Sequence, residues 1–140
     1  MNRMAYFLFK TEPGVYSFDD FLRDKETNWD GVTNPTAVKN LREMKPGTKW
    51  IFYHTGDEKA VVGIVEVIGE YRPDPTDETG VFGLVVVQAV KDVPRHVTLA
   101  ECKANPKLAD MVLVKSARLS VQPVTAAEWN RICAMGGAAP

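Results

Sequence analysis

The sequence predicts an α+β domain, a curved sheet or small β-barrel of about five or six strands with short flanking helices. Three observations carry this. Short apolar runs of strand length, rich in β-branched and aromatic residues, alternate irregularly with brief helical patterns and show no regular βαβ order. Residues 60–71 and 81–91 are long runs, apolar on both faces, that pair as an extended antiparallel hairpin across a polar, proline-containing loop. Gly63 and Gly69 fall on one face of the first run, where barrel sheets bend.

In chain order, Ala5-Tyr6-Phe7-Leu8-Phe9 reads as a buried strand, stopped by Pro13 and Gly14, with Lys10, Thr11 and Glu12 at its exit. Ser17 caps a short helix that carries Phe18, Phe21 and Leu22 on one side and Asp19 and Asp20 in its first turn. Residues 23–28 read as a solvated connector. Asn34 then caps a helix with Pro35 at its first position and Ala37, Leu41 and Met44 on its apolar stripe, ending at Lys45-Pro46-Gly47. Residues 48–55 alternate as a strand, with Trp50, Phe52 and His54 on one face and Ile51 and Tyr53 on the other. Beyond the hairpin, His96 falls in a loop after Pro94-Arg95. Thr98 with Glu101 and Thr125 with Glu128 form capping boxes, each opening a helix. Between those helices, Asn105-Pro106 starts a turn, and residues 111–114 and 119–124 look extended. Trp129, Ile132 and Cys133 give the last helix its apolar face, and Gly136-Gly137 ends it.

At 140 residues the chain is expected to be one domain over 1–140, with loose ends at about 1–4 and 136–140. A hydrophobic fraction of 45% and a charged fraction of 25% suit a water-soluble core protein. The balance of 17 Lys+Arg against 18 Asp+Glu leaves a net charge of −1, so no global field attracts a polyanion, and nucleic-acid binding has to rest on a local patch or on base recognition. Cys102 and Cys133 stand apart from each other and from any His cluster, which argues against a disulfide framework or a metal site. No cofactor motif is present, no apolar run is long enough to span a membrane, and the expected location is cytoplasmic.

Trp29-Asp30-Gly31-Val32-Thr33-Asn34, followed by Pro35, places a flat π-surface beside a glycine turn and a helix start. A loop of this kind can pocket a flat polar ligand, with base–aromatic stacking worth about 1–3 kcal/mol. It can equally be an ordinary core tryptophan beside an ordinary turn. The residues offer no nucleophile with a base and an orienting acid, and none of the phosphate-loop or metalloprotease motifs. Lys10, Glu12 and His54 are the only set from which a small nuclease or base-processing hydrolase could be assembled. A sensor of a free nucleoside or other small molecule is a third reading of the same pocket.

Six blocks in order resemble the EVE domain: Phe9-Lys10-Thr11-Glu12-Pro13, Trp29 to Asn34, Phe52-Tyr53-His54-Thr55, Gly63-Ile64-Val65-Glu66, Tyr71-Arg72-Pro73-Asp74, and Arg118 to Val124 continuing to Trp129. The resemblance implies a PUA-like fold, kinship with YTH-type readers, and a non-catalytic reader that takes a modified base, methylated or hydroxymethylated, flipped out of DNA or RNA. It implies that Trp29, Tyr53 and Leu119 line an aromatic and apolar cage. Lys10, Thr11, Asn34, His54 and Ser120 would touch the base edge or phosphate, Glu12 would act as a ligand clamp, and the backbone at Gly31 and Val32 would approach closely. Thr33 and Pro35 depart from the family pattern, which has Arg and an aromatic residue there; a missing Arg implies weaker phosphate contact.

Overall fold

A computed structural model describes residues 6–30, 32, 34–80, 82–115 and 119–138. Along the chain come β1 (Tyr6–Thr11), α1 (Phe18–Asp24), β2 (Glu26–Trp29), α2 (Pro35–Arg42), β3 (Lys49–His54), β4 (Ala60–Pro73) and β5 (Gly83–Thr98). Then follow α3 (Leu99–Ala104), a 3-10 turn (Pro106–Leu108), α4 (Val112–Lys115), β6 (Val121–Val124) and α5 (Ala126–Gly136). The strands form one mixed sheet in the order β2-β5-β4-β3-β1-β6, parallel only between β1 and β3.

Both faces of this sheet are covered, which is why its inner strands read as continuous apolar runs. Phe7, Phe9, Trp50, Phe52, Val65, Val67, Val85 and Val87 point to one face, where they pack with Phe18 and Phe21 of α1 and Ala37, Val38 and Leu41 of α2. Leu8, Ile51, Tyr53, Ile64, Val93 and Val97 point to the other, against Cys102, Leu113, Trp129, Ile132 and Cys133 of the C-terminal helices. The period-two alternation of β1 and β3 thus sorts neighbouring residues into two separate cores. Burial of each large apolar side chain contributes about 1.5–3 kcal/mol toward ordering the chain.

The expected hairpin is β4 and β5, antiparallel and broken by register shifts at Val61/Gly63, Ile64/Val65, Val67/Gly69 and Gly69/Arg72. Such shifts bend and coil a sheet. Gly63 sits where the Phe18 ring lies against β4, and a Cβ there would run into that ring. Each of the four expected helix caps is present: Ser17, Asn34, Thr98 and Thr125 accept from backbone N–H groups of the first turn.

Three expectations are corrected. The supposed connector at 23–28 contains β2, a polar edge strand that pairs Glu26 with Gln88 and Trp29 with Val85. Residues 111–114 are not extended; α4 occupies Val112–Lys115. His96 is not in a loop: β5 continues to Thr98, and Pro94 and His96 lie where β5 carries extra residues opposite β4, a position that tolerates proline. Of the tail expected to be loose, Gly136 is buried at the end of α5, Gly137 takes the left-handed C-cap conformation at φ 72°, and the Ala138 N–H donates to the Cys133 carbonyl at 2.9 Å. Residues 1–4 and 139–140 lie outside the described residues. Among the described residues, no helix is long and apolar enough to cross a membrane.

Candidate functional site

The site is built where the edge strand β2 ends and α2 begins. Pairing with Val85 fixes the Trp29 backbone at the end of β2, and the half-buried ring enters the first core from its rim. Phe9, Trp50 and Phe52 meet it edge-on at centroid separations of 5.9, 5.6 and 5.7 Å. Tyr16 lies at 6.1 Å and Phe21, nearly parallel, at 6.3 Å. Trp29 is therefore both of the things its sequence context allowed: a core contact on its inner side, and on its outer side the wall shared by two surface hollows.

The first hollow, about 290 Å³, is lined by Thr11, Val15, Tyr16, Thr27, Asn28, Trp29 and Asp30. The second, about 260 Å³, is lined by Phe9, Lys10, Trp29, Asp30, Val32, Asn34, Ser120 and Val121. Among the described residues, only Trp29 and Asp30 line both.

The second hollow gathers five of the eleven site residues expected from the sequence: Lys10, Trp29, Val32, Asn34 and Ser120. Lys10 lies on β1 and Ser120 in the bend just before β6, linked by the Lys10 N–H donating to the Ser120 carbonyl at 2.9 Å. Asn34 is fixed by its cap: Oδ1 accepts from the N–H groups of Thr36 at 2.9 Å and Ala37 at 3.1 Å, which leaves the Nδ2 amide able to donate elsewhere. Val32 is buried and packs into the first core beneath the hollow. Burial lowers the Lys10 ammonium below the ordinary lysine value, and Nζ lies 5.9 Å from the centroid of the Tyr53 ring. Thr11 lines the first hollow instead, with Oγ1 donating to the Tyr16 carbonyl at 3.1 Å. Leu119 is half-buried against the first core and lines neither hollow, while its carbonyl accepts from Gln122 Nε2 at 2.8 Å. Gly31 lies outside the described residues.

Three further expected residues also lie away from both hollows. Tyr53 is 3% exposed and packs in the second core, across the sheet from Trp29. Alternation along β3 demands this, since Phe52 already faces the Trp29 side. Burial, reinforced by the charge of Cys102, pushes its hydroxyl up to about 12.

His54 does share the Trp29 face of β3, but its ring is fully engaged. The Phe18 N–H donates to Nε2 at 3.0 Å and Nδ1 faces Glu58 Oε1 at 2.7 Å. An Nε2 that accepts must be unprotonated, so the proton sits on Nδ1 and is donated to Glu58. His54 thus anchors the start of α1 and has no nitrogen left for a ligand. Partial burial pushes the Glu58 carboxyl up, but the hydrogen bond from His54, joined by the neighbouring His96 at 3.1 Å, holds it below the usual glutamate value.

Glu12 is exposed at its side chain, and its carbonyl accepts from the N–H groups of Val15 and Tyr16. It lines neither hollow. Lys10, Glu12 and His54 are consequently not assembled as an acid–base set. Among the described residues no group of three or more His, Cys, Asp or Glu side chains is placed to hold a metal ion.

Sequence reasoning missed Tyr16, Thr27, Asn28 and Asp30 on the hollow walls. The signal was present, since Thr27, Asn28 and Asp30 lie within two residues of Trp29 and become wall residues once β2 is recognised as a strand ending there.

A family model of the EVE domain matches residues 5–135. Thymocyte nuclear protein 1 of Homo sapiens is 30% identical over 168 residues, spanning 96% of this chain and 75% of that protein. Among solved structures, Rpa0253 from Rhodopseudomonas palustris superposes with a TM-score of 0.92 at 47% identity, covering 95% of this chain and 93% of the other. The crystal structure of human THYN1 protein in complex with 5-methylcytosine-containing DNA superposes with a TM-score of 0.85 at 30% identity, covering 97% of this chain and 99% of that one. The Mmi1 YTH domain, at 12% identity and a TM-score of 0.60, shares the fold alone. With its mixed, coiled sheet, its rim-mounted Trp29 and a family match across nearly all of its length, the chain belongs to the EVE domain family, with a PUA-like α+β fold.

Proposed function

We propose that this protein reads a modified base in DNA, 5-methylcytosine or a base of like shape, held out of the stack in the second hollow beside Trp29. The observation that carries the reading is the chemistry around that hollow: a carboxylate at Asp30, a spare amide donor at Asn34 and apolar walls at Val32 and Val121, all beside one indole. Cytosine offers an amino donor at N4 and acceptors at N3 and O2. Asp30 accepts from the amino group, as carboxylates do in base recognition. Asn34 Nδ2 and the Ser120 hydroxyl donate to the acceptors, and the 5-methyl group meets valine.

Magnitudes fit a reader of modest selectivity. Extruding a base costs a few kcal/mol, and stacking on Trp29 offsets about 1–3 kcal/mol of it. Burial of one methyl group adds about 0.8 kcal/mol, a preference of roughly fourfold over unmodified cytosine. Support also comes from the relative solved with 5-methylcytosine-containing DNA.

The test is a titration of single-stranded oligonucleotides carrying either 5-methylcytosine or cytosine, against the parent and Asn34→Asp. Aspartate keeps the acceptor that caps α2 but removes the amide donor. The reading expects tighter binding of the methylated strand by the parent, and about two- to twelvefold weaker binding by Asn34→Asp with an unchanged melting temperature, as for loss of one hydrogen bond. Equal affinity of the parent for both strands, or undiminished binding by Asn34→Asp, overturns it.

A further inference from the structure

Trp29 and Asp30 form a common wall between two hollows, of which the proposed reading uses only one. The first hollow is made differently. One lip is Val15, which is 79% exposed and presents its apolar side chain at the edge of the hollow. The loop that carries Val15 is braced, with the N–H groups of Val15 and Tyr16 both donating to the Glu12 carbonyl, at 2.9 and 3.0 Å. Thr11 Oγ1 ties its far end to the Tyr16 carbonyl. Tyr16 is itself held by its hydroxyl, which donates to Asp24 Oδ2 at 3.0 Å, and burial with the nearby Asp24 pushes that hydroxyl up to about 12. The hollow thus has a preformed apolar and aromatic lip, with Thr27 and Asn28 of β2 supplying polar groups on its walls.

We infer that this hollow is a second nucleotide subsite, which seats the base next to the modified one on the same strand. The inference rests on the reading that the second hollow holds the modified base. Two hollows that share one indole wall lie within reach of consecutive nucleotides on one strand. An exposed valine beside a tyrosine and a tryptophan supplies the π- and apolar contact that stacks any base, while Thr27 and Asn28 add a preference among bases. The site therefore reads a dinucleotide step, with the modified base specified and its neighbour selected more loosely.

The experiment compares single-stranded oligonucleotides that contain 5-methylcytosine and have an abasic residue at the 5′ neighbour, at the 3′ neighbour or at neither, against the parent and Val15→Asp. The exposed position of Val15 leaves the fold of the variant intact. The expected result is that an abasic residue on one side, and not on the other, weakens parent binding by about five- to 150-fold, the range for losing one stacked base. In Val15→Asp that dependence disappears while the preference for 5-methylcytosine over cytosine remains. Indifference of the parent to both abasic neighbours, or an abasic penalty of the same size in Val15→Asp, overturns the inference and leaves the modified-base reading standing. A parent that does not distinguish 5-methylcytosine from cytosine overturns the underlying reading instead.

Discussion

Replacing Trp29 by alanine separates the two roles the structure gives it. A fully buried tryptophan truncated to alanine costs about 3–5 kcal/mol. Trp29 is half-buried, so the transfer part of that cost is roughly halved, but the ring also makes edge-on contacts with Phe9, Trp50 and Phe52. Such pairs contribute about 0.5–1.5 kcal/mol each beyond area, and less than additively when they share one ring. The loss works out at about 2–4 kcal/mol. Against a usual stability of about 5–15 kcal/mol, Trp29→Ala stays folded but measurably weakened. Equilibrium unfolding in urea is the assay, with the slope of the transition checked for constancy. A loss below about 1 kcal/mol would refute the packing argument by showing that the five neighbouring rings do not depend on the indole. Because stability and binding both fall in this variant, Trp29→Phe is the companion. It keeps a ring in the cluster, costs less stability, and still loses affinity for the methylated strand because the exposed part of the indole is gone.

Other expectations follow from separate parts of the fold. Trp129 is 2% exposed and stacks on Tyr6 at 4.6 Å, so Trp129→Ala should cost about 3–5 kcal/mol in the same titration, and a change below about 1 kcal/mol would show α5 to be peripheral. Lys10→Ala should weaken methylated and unmethylated strands by similar factors and reduce the slope of log affinity against log salt by about 0.7, the value for one contact to a single-strand phosphate; an unchanged slope would remove Lys10 from the backbone contacts. Glu58 has a lowered folded value, so its contribution to stability is present above the ordinary glutamate range and is lost as pH falls through the folded value. The stabilities of Glu58→Gln and the parent should therefore differ by under about 1 kcal/mol near neutrality, screening being strong at so exposed a carboxylate, and converge below about pH 4. A gap that widens on acidification would contradict the arrangement with His54 and His96. Burial pushes the Cys102 thiol up to about 11 and raises that of Cys133, so a thiol reagent should modify both only after unfolding.

Much of this fold could be read before any coordinates, because its local signals agree with its packing. The four helix caps are short-range chemistry, each a side-chain oxygen within three residues of the N–H groups it satisfies. The β4–β5 hairpin was legible because two long apolar runs flank one turn. β2 was not, because Glu-Thr-Asn-Trp is polar, four residues long, and becomes a strand only through pairing with β5 on the far side of the chain. α4 was missed because a four-residue apolar stretch carries no period that separates helix from strand.

The site shows the same division. Lys10, Val32, Asn34 and Ser120 line the hollow beside Trp29, with the Lys10 ammonium reaching toward the Tyr53 ring. Tyr53 does not line it, although the alternation of β3 had already set it on the face opposite Phe52. His54 was a candidate for base or phosphate contact only until its two partners were visible, one of them 36 residues away on α1.

The central claim is that a 5-methylcytosine base lies against Trp29 in the hollow walled by Val32 and Val121. Nuclear Overhauser contacts from the 5-methyl protons of a bound oligonucleotide to assigned valine methyl groups test it directly. The account predicts contacts to Val32 and Val121 and none to Val15; contacts to Val15 without Val32 would place the modified base in the other hollow and contradict it.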